Sequence, residues 1–460
     1  MELNVLDIIR KKTCKIAPVQ VLVIGFFSII FFGAVLLTLP IASRDGQSLN
    51  FLDALFTSTS AVCVTGLVVV DTVTQFSLFG QIVIILLIQA GGLGFMTLAT
   101  LLFLLIGKRI SLRERLIIQE SLNEDTLQGL VRLVRNVVVA TLTLETFGAC
   151  LLMTRFIPVY GFVKGIYYSF FHAISAFCNA GFDLMGSAGS LTDYRGDLIV
   201  SGTIMLMIML GGLGFQVLVD IYRKKNFHKL KFHSKFVLFN TAFLILFGAV
   251  AFYLTEISNV NTLGNPELNT GTRVLMSFFQ SVTPRTAGFA TMNQGYLTSV
   301  GKLLTMILMF IGANSASTGG GVKTTTFAVI LFMVASVIRG KSDLNIGKRR
   351  ISYDILYRAV AIVVISLLLV IIIAMAVMSF EAGKAGMSFE NVLFETFSAF
   401  GTVGLSTGIT SSLSAGSKIC LIFTMFSGRL GPLTMTLAFA NRLANNRTKI
   451  RYPEEKIMVG

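Results

Sequence analysis

Charge is what this chain is short of. Lys, Arg, Asp and Glu make up only 13% of its 460 residues, about half the share a soluble domain carries. That scarcity excludes an ordinary water-facing surface. Tryptophan is absent, so anchoring at a membrane–water boundary falls to Tyr, Lys and Arg. The five cysteines, Cys14, Cys63, Cys150, Cys178 and Cys420, are odd in number and dispersed, which excludes a disulfide framework or a zinc site. The three histidines, His172, His228 and His233, show no metal-ligand spacing. Glycine-rich runs lack the strand–helix context of a phosphate loop. The chain is therefore read as neither an enzyme nor a cofactor carrier.

What is present is apolar length. Hydrophobic residues reach 54%, in runs such as Val21–Leu39, Gln81–Ile106 and Ala359–Met378. Each is long enough to cross about 30 Å of hydrocarbon. The formal charge of +15 is not gathered into one aromatic-lined patch, which argues against nucleic acid. It sits between apolar runs instead. Arg10, Lys11, Lys12 and Lys15 precede the first run, which is too long for a signal peptide and lacks its cleavage site; it reads as a retained first span in the lipid bilayer.

A repeat emerges from the short stretches between runs: LFTSTSAVCVTGL at 55–67, FFHAISAFCNAGF at 170–182, FFQSVTPRTAGF at 278–289 and LFETFSAFGTVGL at 393–405. Their glycines, Gly66, Gly181, Gly288 and Gly404, are spaced by 115, 107 and 116 residues. Each stretch lies between a preceding run (18–40, 133–156, 236–254, 356–379) and a following one (77–106, 197–222, 301–338, 416–441). About a dozen residues cannot cross a bilayer, so each stretch predicts a re-entrant half-helix. Irregular backbone at that depth must be buried in protein or line a water-filled cavity. The expected fold is an all-α integral membrane protein of four pseudo-symmetric helix–pore-loop–helix repeats around a central pore. The expected divisions are a cytoplasmic N-terminal segment (1–17), repeats at 18–116, 117–235, 236–350 and 351–443, and a cytoplasmic tail (444–460).

Basic residues fix the expected orientation. Lys108, Arg109, Arg113 and Arg115 lie in one link, Arg223, Lys224, Lys225, Lys229, Lys231 and Lys235 in the next, and Arg339, Lys341, Lys348, Arg349, Arg350 and Arg358 in the third. The opposite loops hold only isolated bases mixed with Glu256, Glu267 and Glu381. By the positive-inside rule both termini are cytoplasmic in a multi-pass protein of the cell membrane.

The chemistry these stretches suit is potassium selection, in which rings of backbone carbonyls replace the ion's hydration shell. The candidate strips are Val64-Thr65-Gly66, Asn179-Ala180-Gly181, Thr286-Ala287-Gly288 and Thr402-Val403-Gly404. Glycine permits backbone angles closed to residues with a Cβ. Half-helices ending at the strips aim the negative ends of their dipoles at the cavity, which favours a cation. Three residues before the glycines stand Cys63, Cys178, Arg285 and Gly401, so the quadrants are unlike. Arg285 is expected to hold its loop by bonding carbonyls.

The third following run departs from the others. Residues 301–338 would form a helix of about 57 Å, and their middle is rich in Gly, Ser and Thr. Gly312, Asn314, Ser315, Ser317, Thr318, Gly319, Gly320, Gly321 and Lys323 are candidate gate residues. Arg429, a further candidate gate residue, interrupts the fourth following run; at that depth it needs a partner or a cavity. Carbonyls or hydroxyls of the 312–326 segment would satisfy it.

These stretches, together with QAGGLGFMT at 89–97, GANSASTGGGVKTTTF at 312–327 and GRLGPLT at 428–434, resemble the Trk/Ktr/HKT superfamily of potassium transporters, most nearly the membrane subunit of bacterial Ktr systems. The resemblance implies potassium as the transported ion, with sodium as the candidate activator. It also implies an intramembrane gating loop and an arginine below the filter, matched by Arg429. It implies a homodimer on a cytosolic nucleotide-binding regulatory ring of the KtrA/KtrC kind. Gly66, where some members carry Ser, favours potassium over sodium. An alternating-access transporter, whose sites form where broken helices meet, is the competing reading.

Overall fold

The computed structural model describes residues 18–94, 97, 100, 130–186, 190–340, 345–346, 349–384, 386–432 and 434–435. Segment 1–17, most of the first link and the tail beyond 435 lie outside the described residues, and the expectations placed on them rest on sequence alone.

Among the described residues, four single helices are long and apolar enough to cross a membrane: Pro18–Thr38, Leu130–Tyr160, Phe232–Glu256 and Tyr353–Phe380. At 1.5 Å per residue the shortest is about 31 Å long. Their outer faces carry Phe27, Phe31 and Phe32, then Phe243 and Phe247, then Leu368 and Ile372, all exposed. A face of that kind is stable against hydrocarbon, not water. Their inner faces pack on half-helices through glycine. The Ser58 hydroxyl donates to Ile30 O at 2.7 Å opposite Gly33, and Ser281 donates to Ile245 O at 2.7 Å opposite Gly248.

The half-helices are Phe51–Val62, Phe162–Phe177, Thr270–Val282 and Phe389–Gly401. Three start on side-chain caps, in which Asn50, Asn269 and Ser388 accept from the amides of Leu52, Thr272 and Asn391. The third ends early because Pro284 has no N–H to continue the ladder. Its turn is one residue shorter than the others: Thr283 stands five positions before its glycine, where Ser60, Ser175 and Ser398 stand six. Arg285 therefore has no true counterpart in Cys63, Cys178 and Gly401.

The following runs differ from expectation. Each was read as one helix, with only the third broken; all four break. Leu78–Leu93, Leu198–Leu213 and Ala415–Leu430 stop at Gly94, Gly214 and Gly431, whose φ angles are 83°, 94° and 88°. After Gly214 the chain resumes as Phe215–Lys224, bent by 98°. Left-handed backbone ends an α-helix, and glycine adopts it without a Cβ penalty. The third run stops at Phe310 and resumes at Thr324–Ile338. What sets it apart is the segment 311–323 in between.

Buried carboxylates tie the long helices to the starts of these broken ones. Glu256 accepts from the Thr298 amide at 3.0 Å and its hydroxyl at 2.6 Å. Glu381 accepts from the Ser414 amide at 2.7 Å and pairs with Lys384 at 2.7 Å. Burial pushes the Glu381 carboxyl up, but hydrogen bonds from Lys384, Ser417 and Ser414 outweigh it and hold it at about 2.

Candidate functional site

The twelve strip residues come together at the ends of the four half-helices, and their backbones share one conformation. The first residue of each strip has positive φ: Val64 57°, Asn179 60°, Thr286 72° and Thr402 50°. So does the glycine: Gly66 88°, Gly181 70°, Gly288 78° and Gly404 88°. Thr65, Ala180, Ala287 and Val403 lie between. The requirement for glycine at the third position is legible in sequence. The left-handed Val, Asn and Thr at the first position are not, since each such L-residue costs about 1–2 kcal/mol. Backbone strain of this kind persists only where surrounding structure over-determines it.

That structure is a set of bonds drawing the strip amides back into the protein. Thr65 N, Ala180 N and Val403 N donate to Ser60 O, Ser175 O and Ser398 O at 2.8, 2.7 and 2.9 Å, and Ala287 N donates to Thr283 O at 3.0 Å. Gly66 N and Gly404 N donate to the hydroxyls of Ser60 and Ser398 at 3.0 and 3.1 Å. Ser175 and Thr283 donate to Phe182 O and Phe289 O at 2.6 and 2.5 Å.

The strips close on one another in order. A Cβ on Gly66, Gly181, Gly288 or Gly404 would come within 2.8 Å of the carbonyl oxygen of Ala180, Ala287, Val403 or Thr65 respectively. First meets second, second meets third, third meets fourth, and fourth meets first. On the side where the half-helices begin, the ring opens into a cavity of about 640 Å³ whose lining includes all four glycines, Asp71, Asp183, Ser406 and Thr410. The Asp183 carboxyl accepts from Met185 N at 3.0 Å. Burial pushes it up to about 6, bonds from Met185 and Ser190 pull it down, and the charge of Asp71 adds to the rise.

On the other side, segment 311–323 crosses beneath the ring. A Cβ on Gly319 would strike the Thr286 hydroxyl, and one on Gly320 would lie 2.5 Å from the Thr402 hydroxyl. Gly320 N donates to Thr402 Oγ1 at 3.0 Å, and Gly321 has a φ of 66°. All three glycines therefore answer close packing or a left-handed turn; none is slack. The segment is pinned from several sides. Gly312 N donates to Val322 O at 2.9 Å, Asn314 Nδ2 donates to Gly212 O at 3.0 Å, and Thr318 Oγ1 donates to Phe177 O at 3.3 Å. Ser317 Oγ donates to Asn314 O at 2.6 Å, and Ser315 meets Thr325 at 3.4 Å. Lys323 turns inward to donate to Gly319 O at 2.7 Å.

Arg429 donates to Thr318 O on this segment and to Gly91 O on the first broken helix, with Gly92 O at 3.5 Å. A cavity of about 380 Å³ lies here, its lining including Gly92, Ser317, Gly319, Lys323 and Arg429. Arg429 takes the place of the second glycine of Gly91-Gly92-Leu93-Gly94 and Gly211-Gly212-Leu213-Gly214. Arg285 is buried, and among the described residues its Nε meets no acceptor.

The sequence reading overlooked one position. The residue after the buried Phe of each half-helix is Thr57, His172, Gln280 or Glu395. The signal was available, since four polar residues of different chemistry recur at one place in an apolar repeat.

The sequence matches the family described as TrkH, cation transport protein, over residues 17–448. It is 44% identical over 449 residues to Ktr system potassium uptake protein B of Bacillus subtilis (strain 168), covering 98% of each chain. It is 39% identical over 456 residues to potassium/sodium uptake protein NtpJ of Enterococcus hirae, covering 99% of this chain and 100% of that one. The crystal structure of the potassium transporter TrkH from Vibrio parahaemolyticus shares the fold, with a TM-score of 0.72 at 15% identity over 93% of this chain and 86% of that one. Match to nearly the whole chain, by sequence and by fold, leaves one conclusion: the chain belongs to the TrkH family of cation transport proteins.

Proposed function

We propose that this membrane protein is the ion-translocating subunit of a potassium uptake system, with the four strips as its potassium filter and segment 311–323 as its gate. The observation that carries the reading is the cyclic closure of four strips whose amides are bonded behind them and whose left-handed residues alternate. Carbonyls presented together substitute for an ion's water, and the half-helix C-termini add negative potential. The broken third helix supports the gate, because its glycines pack directly under Thr286 and Thr402. The four repeats then surround one pore. The 640 Å³ cavity faces the outside, and the basic links and both termini face the cytoplasm.

The family and its named Ktr relatives also support a regulatory partner. We take it to be a nucleotide-binding cytosolic ring beneath a homodimer of this chain. Potassium is the transported ion. Sodium, which the Enterococcus relative's name adds, is the ion to test as an activator.

Potassium and sodium fluxes into liposomes containing the purified protein test this reading. The wild type should pass potassium in preference to sodium. Gly66→Ser, whose Cβ meets Ala180 O, should lose at least about tenfold of that preference, equivalent to about 1.4 kcal/mol. Unchanged selectivity in a folded variant would remove the first strip from the filter.

A further inference from the structure

Three of the four half-helices carry, just after their buried phenylalanine, a polar side chain that reaches past its own strip. Phe394 is followed by Glu395, whose carboxylate is fully buried. Glu395 Oε1 accepts from the Ser406 hydroxyl at 2.5 Å and from Thr407 N at 3.0 Å; Oε2 accepts from the Thr410 hydroxyl at 3.0 Å. Ser406 and Thr410 are also 2.8 Å apart, and Gly408 N donates to Ser406 Oγ at 2.9 Å. The whole turn after the fourth strip is thus organised around one carboxylate.

The equivalent residues do the same with other chemistry. His172 accepts from Leu184 N on Nε2 at 3.3 Å, its Nδ1 being 2.7 Å from Tyr168 O. Gln280 and Gln294 exchange two bonds, at 2.7 and 3.1 Å. Thr57 bonds only within its own helix, to Asp53 O at 2.9 Å. Ser406, Thr410 and Gln294 all line the outer cavity, so these anchors hold its walls against the half-helices. Glu395 makes the most bonds of the four.

We propose that Glu395 is a positioning residue for potassium binding: by fixing the Ser406–Thr410 turn, it holds the outer end of the fourth strip in ion-coordinating shape. The proposal rests on reading the strips as the potassium filter. An ion in the filter itself supports the strips, so loss of the anchor weakens capture at low potassium more than throughput at high potassium. Glu395 touches no ion and acts only through the turn.

The test is potassium-dependent uptake by the full-length protein with its regulatory partner, measured for Glu395→Leu, Glu395→Gln and the pair Ser406→Ala with Thr410→Val. Glu395→Leu removes every acceptor and should raise the KM for external potassium roughly tenfold, the shift that corresponds to about 1.4 kcal/mol, with maximal rate largely kept. Glu395→Gln can still accept from Ser406 and Thr407 and can donate to Thr410, so it should stay near wild type. The loop-side pair leaves the buried position intact, which guards against misfolding of the Leu variant, and should raise KM in the same direction. Gly66→Ser is measured alongside. If it alters selectivity while Glu395→Leu and the loop-side pair both keep the wild-type KM, the anchor is refuted and the filter reading stands. A Gln variant as impaired as the Leu variant would also overturn it, by showing that charge and not bonding geometry matters. If Gly66→Ser changes nothing, the filter reading fails first and takes the anchor with it.

Discussion

The ring of strips and the segment beneath it are both written in Gly, Ser and Thr, yet they use these residues differently. In the ring, glycine recurs at one register in four repeats and supplies a backbone conformation. In segment 311–323, Gly319 and Gly320 supply absence of volume, letting the chain pass under Thr286 and Thr402. The strip amides are bonded within their own repeats, to Ser60, Ser175, Thr283 and Ser398. The segment is held mainly from outside, by Gly211, Gly212, Thr402 and Arg429. A structure fixed by its own repeat resists change. One fixed by its neighbours moves when they do, which is what the proposed division into filter and gate requires.

That contrast can be broken by experiment. The largest effect on flux should come from deleting part of 312–326 or from Arg429→Ala, since either frees the segment from beneath the ring. Arg429→Ala strands the carbonyls of Thr318 and Gly91, at about 1–3 kcal/mol for each buried acceptor left unmade. Basal potassium flux without the regulatory subunit should rise several-fold, while selectivity over sodium survives. Size-exclusion chromatography in detergent controls for folding. Loss of selectivity together with the rise would show that segment and ring are one unit. Gly320→Ala asks the same question more gently: its Cβ would press on Thr402, so basal flux should rise by less than in the deletion, with a small loss of selectivity that the deletion does not show. The smallest effect concerns the outer cavity. Asp183, pushed up to about 6, is mostly ionised at neutral pH and gains its proton as external pH falls through that value. Potassium uptake at low concentration should decline modestly between about pH 7 and 5 in the wild type, and Asp183→Asn should flatten the profile across its own titration range. An unchanged profile in the variant would assign the decline to another group.

Much of this was legible in sequence because repetition exposes it. Four glycines at one register, apolar runs around them and an arginine in an apolar segment needed no coordinates. The misses have physical causes. Left-handed φ at Val64, Thr286 and Thr402 cannot be read from residue type, since β-branched residues avoid that region; only the closing of four strips imposes it. The breaks at Gly94, Gly214 and Gly431 were visible as GGLG, GGLG and GRLG, but an isolated glycine does not reveal its φ. Proline at 284 was in view, yet the shortened turn that displaces Arg285 from register depends on which hydroxyl, Thr283, reaches the carbonyl of Phe289 just after the strip. The Glu395 anchor joins residues eleven to fifteen positions apart, across a strip whose path the sequence leaves open.

The four quadrants of the ring are unlike, and they belong to a single polypeptide. In an assembly of four identical subunits any substitution at a coordinating position arrives four times, so its consequences are compounded before selection can weigh them. Here a strip residue such as Gly66 or Asn179 can change alone, one quarter of the circle at a time. The ring is thus a mosaic whose corners evolve separately.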